Sequence, residues 1–426
     1  MIVYLACYAA SYLFARAGYY YMSGVVLMLA AIYLYRYDYK RTHNIIHMRA
    51  LFSLFWLGGQ GVSCLKLSQL QTDWSLMTWV CFLAAFLGFW LVFEILERFY
   101  GEPDAADFRR GRFKGDGRPL FVSIVCVTMV SLAAFAIEAA VLGYIPFLVR
   151  GVPHAYSEFH ISGLHYFTVS CVLVPGLSVL YFCMERRRDS LREKVVVVMN
   201  VIALAIPILC VSRFQLILAV ALAAFTYIAM QKHFEMVYGL GLVGIMIPLY
   251  LVLTVARSHD VSYLNGIFAM KNSHMPIFIT QPYMYIANNY DNFNCLVEHL
   301  PEHTFGLRML FPLWAFTGLK FIKPELVAFP IYVTKKELTT VTLFYDAYYD
   351  FGLVGVVLFS CVLGAVCYYL VRRLHRSRNP IGYLIYGQIA LYLVFSFFTT
   401  WFSNPATWFY LGVTVIIYLY YYWKAG

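Results

Sequence analysis

The stretch PLFVSIVCVTMVSLAAFAIEAAVLG (119–143) contains a single charged residue, Glu138. About 20 mostly apolar residues are enough for a helix to cross a lipid bilayer, so this stretch predicts a transmembrane helix. Ten more stretches are similar, and a shorter run at 2–15 would bring the total from eleven to twelve. The ten lie at about 18–36, 47–66, 75–97, 163–184, 195–211, 214–231, 235–256, 344–371, 381–399 and 407–423.

The composition of the whole chain agrees with this prediction. Of its 426 residues, 62% are hydrophobic and only 13% are charged. A soluble domain has about a quarter charged residues, because they cover its surface. The composition therefore excludes a soluble enzyme, a disordered protein and a nucleic-acid-binding module. We predict an all-α polytopic membrane protein.

The basic residues predict how the chain is oriented. Most of the 32 lysines and arginines fall in one set of inter-helix segments, which include 98–118 and 186–194. Lysine and arginine accumulate in cytoplasmic loops. The asymmetry therefore places these segments and the C-terminus in the cytoplasm. The excess positive charge of +10 is explained by topology, which leaves no reason to expect a nucleic-acid partner.

The same topology divides the chain into three parts. Residues 1–256 would form an N-terminal transmembrane bundle, with a cytoplasmic loop at 98–118 and an outer loop at 144–162. Residues 257–343 would form a large helical periplasmic loop, and 344–426 the C-terminal transmembrane helices. Within the large loop we expect short helices separated at Pro276, Pro282, Pro301 and Pro324, because proline interrupts helices.

Arg213 is the most informative single residue of the bundle. It lies in CVSRFQ (210–215) between two apolar runs, in a turn too short to be a true loop. A charge at the edge of the hydrocarbon region is costly and commonly has a partner or a task. Simple extension of the side chain to the interface is one explanation. The other is an anion clamp, with Arg257 at the same outer level and Arg308 as a third member. For Glu138, a partner arginine or a proton relay would account for the position.

No cofactor and no metal are predicted. The string His299-Leu300-Pro301-Glu302-His303 matches a zinc-peptidase pattern that functions on a helix. Pro301 disfavours a helix there. The chain also contains no Walker A motif and no paired-cysteine metal motif.

In layout and in several local strings, the chain resembles the bacterial Wzy-type oligosaccharide repeat-unit polymerases, which make O-antigen and capsular polysaccharide. The layout is many spans with one large extracytoplasmic loop in the C-terminal half. The strings are SRFQLILAVALAAF (212–225), QPYMYIANNYDNF (281–293) and FYDAYYDFGLVGVVLFSCVLGAV (344–366). Some members carry Arg-x10-Gly strings that are absent here, since residues 161, 268 and 319 are Ile, Phe and Leu.

The resemblance implies a metal-independent, inverting glycosyltransferase of the GT-C type in the bacterial inner membrane. It would transfer a growing chain from undecaprenyl pyrophosphate to a new lipid-linked repeat unit at the periplasmic face. Arg213, Arg257 and Arg308 would bind the pyrophosphate, which is the leaving group. The proton acceptor would be one of His259, Asp260, His299 and His303. Sugars would contact Arg150, Tyr283, Tyr285, Tyr290 and Trp314.

Two other functions fit the same sequence features. An O-antigen ligase shares the layout and the leaving group but uses a lipid A-core acceptor. A flippase or transporter of lipid-linked oligosaccharide would show internal repeats and interrupted helices, which we do not find. The expected partners are the undecaprenyl-pyrophosphate-linked oligosaccharide, membrane lipids and a polysaccharide chain-length regulator.

Overall fold

The computed structural model describes residues 1–101, 113–114, 116–149, 155–185, 190–230, 261–272, 274–374 and 379–425. Most of these residues are helical. The one paired-strand element among them joins Phe113–Lys114 to Met184–Glu185 in parallel over two residues. The predicted all-helical character is confirmed, with this short pairing as an addition.

The helices follow the apolar runs in chain order. They are α1 Ile2–Arg16, α2 Tyr20–Thr42, α3 Met48–Phe52, α4 Gly58–Cys64, α5 Leu76–Tyr100, α6 Arg118–Leu142, α7 Ala155–Glu158, α8 His165–Val169, α9 Val174–Phe182, α10 Ser190–Leu209, α11 Arg213–Met230, α12 Val261–Phe268, α13 Ile277–His299, α14 Phe311–Phe316, α15 Leu319–Ile322, α16 Tyr345–Leu374, α17 Ile381–Val394 and α18 Pro405–Ala425. A π-helical turn, Ser53–Leu57, joins α3 to α4, and a 3-10 turn, Ser170–Leu173, joins α8 to α9.

Five helical segments in the described part are long and apolar enough to cross a membrane. They are Leu76–Tyr100, Arg118–Leu142, His165–Phe182, Arg213–Met230 and Tyr345–Leu374. The chain is therefore a multi-pass membrane protein. Ile2–Arg16 and Ile381–Val394 are shorter apolar helices. The other expected spans stay predictions, and the span at 235–256 lies outside the described residues.

The expected break at Pro282 is wrong. Helix α13 runs for 23 residues through Pro282. Proline in the second turn removes one backbone hydrogen bond, and burial of Tyr283, Met284 and Ala287 offsets that loss. Pro276 and Pro301 do flank the helix, which begins at Ile277 and ends at His299.

The contacts divide the chain into two compact units. The first comprises 1–105, 260–372 and 392–405, and the second comprises 106–259, 373–391 and 406–426. In the first unit, helices approach closely where glycine replaces a side chain. Gly364 of α16 lies against the backbone of Phe89 in α5, and Gly24 of α2 lies against Gly61 of α4. Small residues permit this kind of close packing between membrane helices.

Two buried ionic clusters also hold the first unit together. Arg49 lies in α3 with 0% exposure and hydrogen-bonds the carboxylates of Asp38, Glu94 and Glu97. In the other cluster the Asp291 carboxylate of α13 is 2.6 Å from Lys66 Nζ. It also accepts hydrogen bonds from Ser63, Gln71 and Trp74. A buried charge is stable when it is paired and hydrogen-bonded, so both clusters are structural.

The second unit confirms the tight turn predicted before α11. Helix α10 ends at Leu209 and α11 begins at Arg213, whose side chain is buried. Between them Val211 has a φ of 54°, which is unusual for a β-branched residue.

Gly364→Ala should lower the apparent melting temperature of the detergent-solubilised protein by several degrees. The new Cβ would lie 2.5 Å from the carbonyl oxygen of Phe89, so a helix must shift. Overpacking of this kind costs about 1–3 kcal/mol. Gly412→Ala is the matched control, because no other described part of the chain packs within 4 Å of its Cβ position. Equal melting temperatures for the two variants would contradict the close packing of α5 and α16.

Candidate functional site

A cleft of about 380 Å³ opens between four segments of the first unit. The polar residues that line it are Arg308, Asp346, Thr400, Ser403 and Asn404. The apolar ones include Leu307, Phe311, Leu326, Val327, Phe329 and Ile331. The volume falls in the range of roughly 300–1,000 Å³ that is usual for small-molecule sites. The cleft can therefore take a ligand with a polar, charged end and an apolar part.

Arg308 is the only cation that lines the cleft in the described structure, and it is held on two sides. Its Nε donates to Asp346 Oδ1 at 2.7 Å, and its guanidinium lies 4.5 Å from the ring centre of Tyr349. Burial lowers the pKa of Arg308, but the Asp346 carboxylate more than compensates and raises it above the ordinary value. Arg308 is therefore charged and oriented at any physiological pH.

The two Nη atoms of Arg308 make no hydrogen bond within the described part of the chain. The same holds for Oδ2 of Asp346, a residue that is only 4% exposed. These atoms belong to residues that line the cleft. The site therefore presents a donor fork, suited to phosphate or carboxylate oxygens, beside an acceptor oxygen.

The position of Arg308 is fixed by Asp350. The chain segment 303–310, here called the arginine turn, has no helix and includes Phe305 at a φ of 48°. The Asp350 carboxylate, fully buried, accepts hydrogen bonds from the hydroxyl of Thr304 and from the backbone N–H groups of Arg308 and Met309. One helix thus holds Arg308 by its side chain through Asp346 and by its main chain through Asp350.

Residues 327–342, here called the strap, have no regular secondary structure, and Val327, Phe329 and Ile331 at the start of the strap form an apolar wall of the cleft. The phenol of Tyr345 accepts from Tyr332 N and donates to Tyr332 O, and the phenol of Tyr349 donates to Pro330 O. The two tyrosines that fix the strap are also the ones whose rings face Arg308. Strap and arginine are therefore built on the same helical turn.

Asparagines of α13 anchor the rest of the strap. Asn292 donates to the carbonyls of Leu338 and Thr340 and accepts from Thr334 N. Asn289 accepts from the Thr340 hydroxyl and donates to Phe397 O. The Asn-rich string therefore has a structural role: its amides satisfy backbone groups that lack helix partners.

Asp346, Tyr349 and Asp350 belong to the string FYDAYYDFG (344–352), and the sequence analysis did not predict them as site residues. On a helix, positions 346, 349 and 350 share one face, which was the available signal. The helix breaks at Gly352, with φ 60° and ψ −146°, a conformation that glycine tolerates. His303 packs against this glycine, 3.0 Å from the position a Cβ would occupy.

The two predicted histidines within the described residues do not line the cleft. His299 is exposed at the end of α13, with Nδ1 2.9 Å from Cys295 O. His303 places Nδ1 3.2 Å from Tyr349 O. Their neighbour Pro301 lies outside any helix. In the described part of the chain, no group of three or more His, Cys, Asp or Glu residues could hold a metal ion.

Two predicted sugar-stacking tyrosines are packing residues. Tyr290 is completely buried and donates to Trp56 O, and Tyr283 is buried with its phenol bonded to Gln71 and Leu67. Neither ring offers a face to a ligand, since α13 turns both into the first unit. Tyr285 is half-buried beside Phe398, and half-buried Trp314 donates to Leu307 O.

The other predicted site residues have different outcomes. Arg213 belongs to the second unit. Arg150, Arg257, His259 and Asp260 lie outside the described residues. For these five, the predicted roles stay predictions.

Glu138 pairs with a histidine. Its carboxylate, fully buried, lies 3.1 Å from His165 Nδ1 and accepts from Thr168 Oγ1 and Ile161 N. Within the described residues, the charged partner of Glu138 is therefore His165 and not an arginine, which was one of the two expectations. The bonds to Ile161 and Thr168 fix the start of α8 against α6, which is a structural role.

No protein-family model, no curated protein and no solved structure matches this chain.

Asp350→Asn should loosen the arginine turn. The carboxylate receives three donors, whereas an amide offers one acceptor and brings donors of its own. Each buried donor left unsatisfied costs about 1–3 kcal/mol. We expect a lower melting temperature and faster proteolysis within 303–310. Glu325→Gln, which removes an exposed carboxylate nearby, should change neither. Wild-type proteolysis of Asp350→Asn would contradict the role of Asp350.

Proposed function

We propose that this protein polymerises undecaprenyl-pyrophosphate-linked oligosaccharide repeat units into O-antigen or a related surface polysaccharide. The growing chain is transferred with inversion, without a metal, and with lipid pyrophosphate as the leaving group. The observation that carries the proposal is the pair of uncommitted groups in the cleft, the Nη fork of Arg308 and Oδ2 of Asp346.

Arg308 supports the proposal that the cleft binds the departing pyrophosphate. A departing pyrophosphate develops negative charge, and a preorganised guanidinium stabilises that charge without reorganising. Arg308 is preorganised because Tyr349 and Asp346 fix its plane. Arg213 and Arg257 are proposed as further pyrophosphate contacts, from the sequence prediction.

The form of the cleft supports a lipid-linked sugar as substrate. Three apolar residues of the strap, Val327, Phe329 and Ile331, line the cleft. Thr400, Ser403 and Asn404 also line it, and their hydroxyl and amide groups are of the kind that binds sugar hydroxyls. An amphipathic cleft in a multi-pass membrane protein fits a substrate that has a lipid, a phosphate and a sugar portion.

The remaining features of the proposal come from the resemblance. They are a GT-C type of fold, location in the bacterial inner membrane, a periplasmic active face, a cytoplasmic C-terminus and a chain-length regulator as partner. Tyr285 and Trp314 stay candidates for sugar contact because both are partly exposed.

Deletion of the gene in its host tests the function directly. Surface polysaccharide is separated on a gel, and lipid-linked intermediates are extracted and located. Core capped with a single repeat unit, or lipid-linked single units accumulating outside, supports the polymerase. Lipid-linked polymer together with bare core would instead indicate a ligase. Single units trapped on the cytoplasmic side would indicate a flippase.

Arg308→Gln should reduce polymer formation about 100-fold or more in the complemented deletion strain. Loss of one preorganised donor to a developing anion commonly costs roughly 10²–10³ in rate. Arg308→Lys should recover only a little activity, because lysine lacks the two-pronged donor geometry. Lys323→Gln removes one exposed positive charge nearby and should retain full-length polymer. Full-length polymer from correctly inserted Arg308→Gln would exclude the clamp.

A further inference from the structure

We propose that Asp346 accepts the proton of the attacking sugar hydroxyl during transfer. The inference rests on the proposed function and assigns the general base, for which the sequence offered only histidines and Asp260. Asp346 is the second residue of α16 and forms an ion pair with Arg308.

Among the described residues that line the cleft, Asp346 is the only one with a carboxylate or an imidazole, the side chains that most often act as general bases. It is 4% exposed, with Oδ1 committed to Arg308 Nε and Oδ2 without a hydrogen bond in the described structure. Because Asp346 lines the cleft and its Oδ2 has no protein partner among the described residues, this oxygen is available to a ligand hydroxyl.

In the part of the chain that the structure describes, three other acids and bases near Arg308 are bonded elsewhere or lie away from the cleft. Asp350 is saturated by three donors of the arginine turn. His303 has Nδ1 at Tyr349 O and Nε2 beside Gly352, and His299 lies exposed at the end of α13. None of these three lines the cleft. A general base must first lie within reach of the proton that it removes, and Asp346 meets this requirement.

The proposed transfer forms one bond, breaks one bond and moves one proton. The hydroxyl oxygen of the acceptor sugar forms a bond to the anomeric carbon of the donor chain, on the side opposite the pyrophosphate. The bond between that carbon and the pyrophosphate oxygen breaks, and the pyrophosphate leaves with the electron pair. The hydroxyl proton moves to Asp346 Oδ2. Inverting glycosidases likewise use a carboxylate to activate the nucleophile.

The ion pair with Arg308 couples this proton transfer to the departure of the pyrophosphate. Before the reaction, Asp346 compensates the charge of Arg308, and a separation of 2.7 Å makes that compensation strong. Protonation of Asp346 removes the compensation while the pyrophosphate is leaving. The attraction of Arg308 for the leaving group therefore grows as negative charge develops there. An interaction that strengthens toward the transition state accelerates the reaction, whereas uniform binding does not.

The experiment compares turnover with binding in purified, membrane-reconstituted protein. Turnover uses lipid-linked repeat units extracted from the deletion strain, and binding uses undecaprenyl pyrophosphate alone. Asp346→Asn should lower kcat about 100- to 10,000-fold, the usual contribution of a general base. Its Kd for undecaprenyl pyrophosphate should be equal to that of the wild type or lower, because the charge of Arg308 is no longer compensated. Asp346→Glu should regain part of kcat, and Glu325→Gln serves as the charge-matched control.

Three results would overturn the assignment. Turnover of Asp346→Asn within threefold of the wild type would show that Asp346 removes no proton. Equal loss of kcat and of binding in Asp346→Asn would make Asp346 a positioning residue for Arg308. Equal kcat values for Asp346→Asn and Asp346→Glu would also exclude proton transfer. By contrast, wild-type protein that neither binds undecaprenyl pyrophosphate nor elongates the extracted units would refute the proposed function itself.

If Asp346→Asn fails to fold, the dependence of the wild-type kcat on pH tests the assignment of Asp346 instead. The titratable groups nearest to Asp346 in the described structure are Arg308 on the arginine turn and Tyr345, Tyr349 and Asp350 on α16. Guanidinium and phenol groups keep their protons throughout the acid range. A fall in kcat of tenfold per pH unit on the acid side therefore reports a carboxylate that must be ionised. A flat acid limb would overturn the proposal.

Discussion

Backbone N–H and C=O groups outside helices and strands need other hydrogen-bond partners, and side chains of α13 and α16 supply many of them to the strap. Its sixteen consecutive residues have no helix or strand, so the regular pairing of backbone groups is not available to them. Asn292 of α13 supplies three of these partners, to Leu338 O, Thr340 O and Thr334 N. The tyrosines of α16 supply others. Without these bonds the apolar wall of the cleft would have no fixed position.

The first two turns of α16 connect this requirement to the site. Their tyrosines bind the strap, their aspartates bind the arginine turn, and the rings of the tyrosines orient the guanidinium of Arg308. The break at Gly352 separates these turns from the apolar continuation of the helix. The turns of α16 that border the cleft and the apolar turns that follow therefore belong to one helix and lie on either side of the break at Gly352.

The sequence predicted the fold well where the signal is local. Long apolar runs placed α5, α6 and α11, and the short interval at 210–212 located the turn before Arg213. Such features depend on the composition of neighbouring residues. The prediction failed at Pro282, because packing of distant residues against α13 outweighs a local propensity for breaking helices.

The site was predicted less completely, because it depends on contacts distant in sequence. Arg308 was selected as a lone arginine, but its partner Asp346 is 38 residues away. Tyr290 was chosen as an aromatic residue in a polar string, and only the structure shows it buried against Trp56. A polar string can bind a ligand or satisfy the protein's own backbone, and composition does not distinguish the two.

The ion pair between Arg308 and Asp346 also determines how a ligand arrives. One positive and one negative charge lie 2.7 Å apart, and the other described residues that line the cleft are neutral. At distances beyond a few ångströms the two charges act as a small dipole, so the cleft exerts little long-range attraction on an anion. Encounter is then governed by lateral diffusion within the bilayer, and its rate should depend on lipid viscosity much more than on ionic strength.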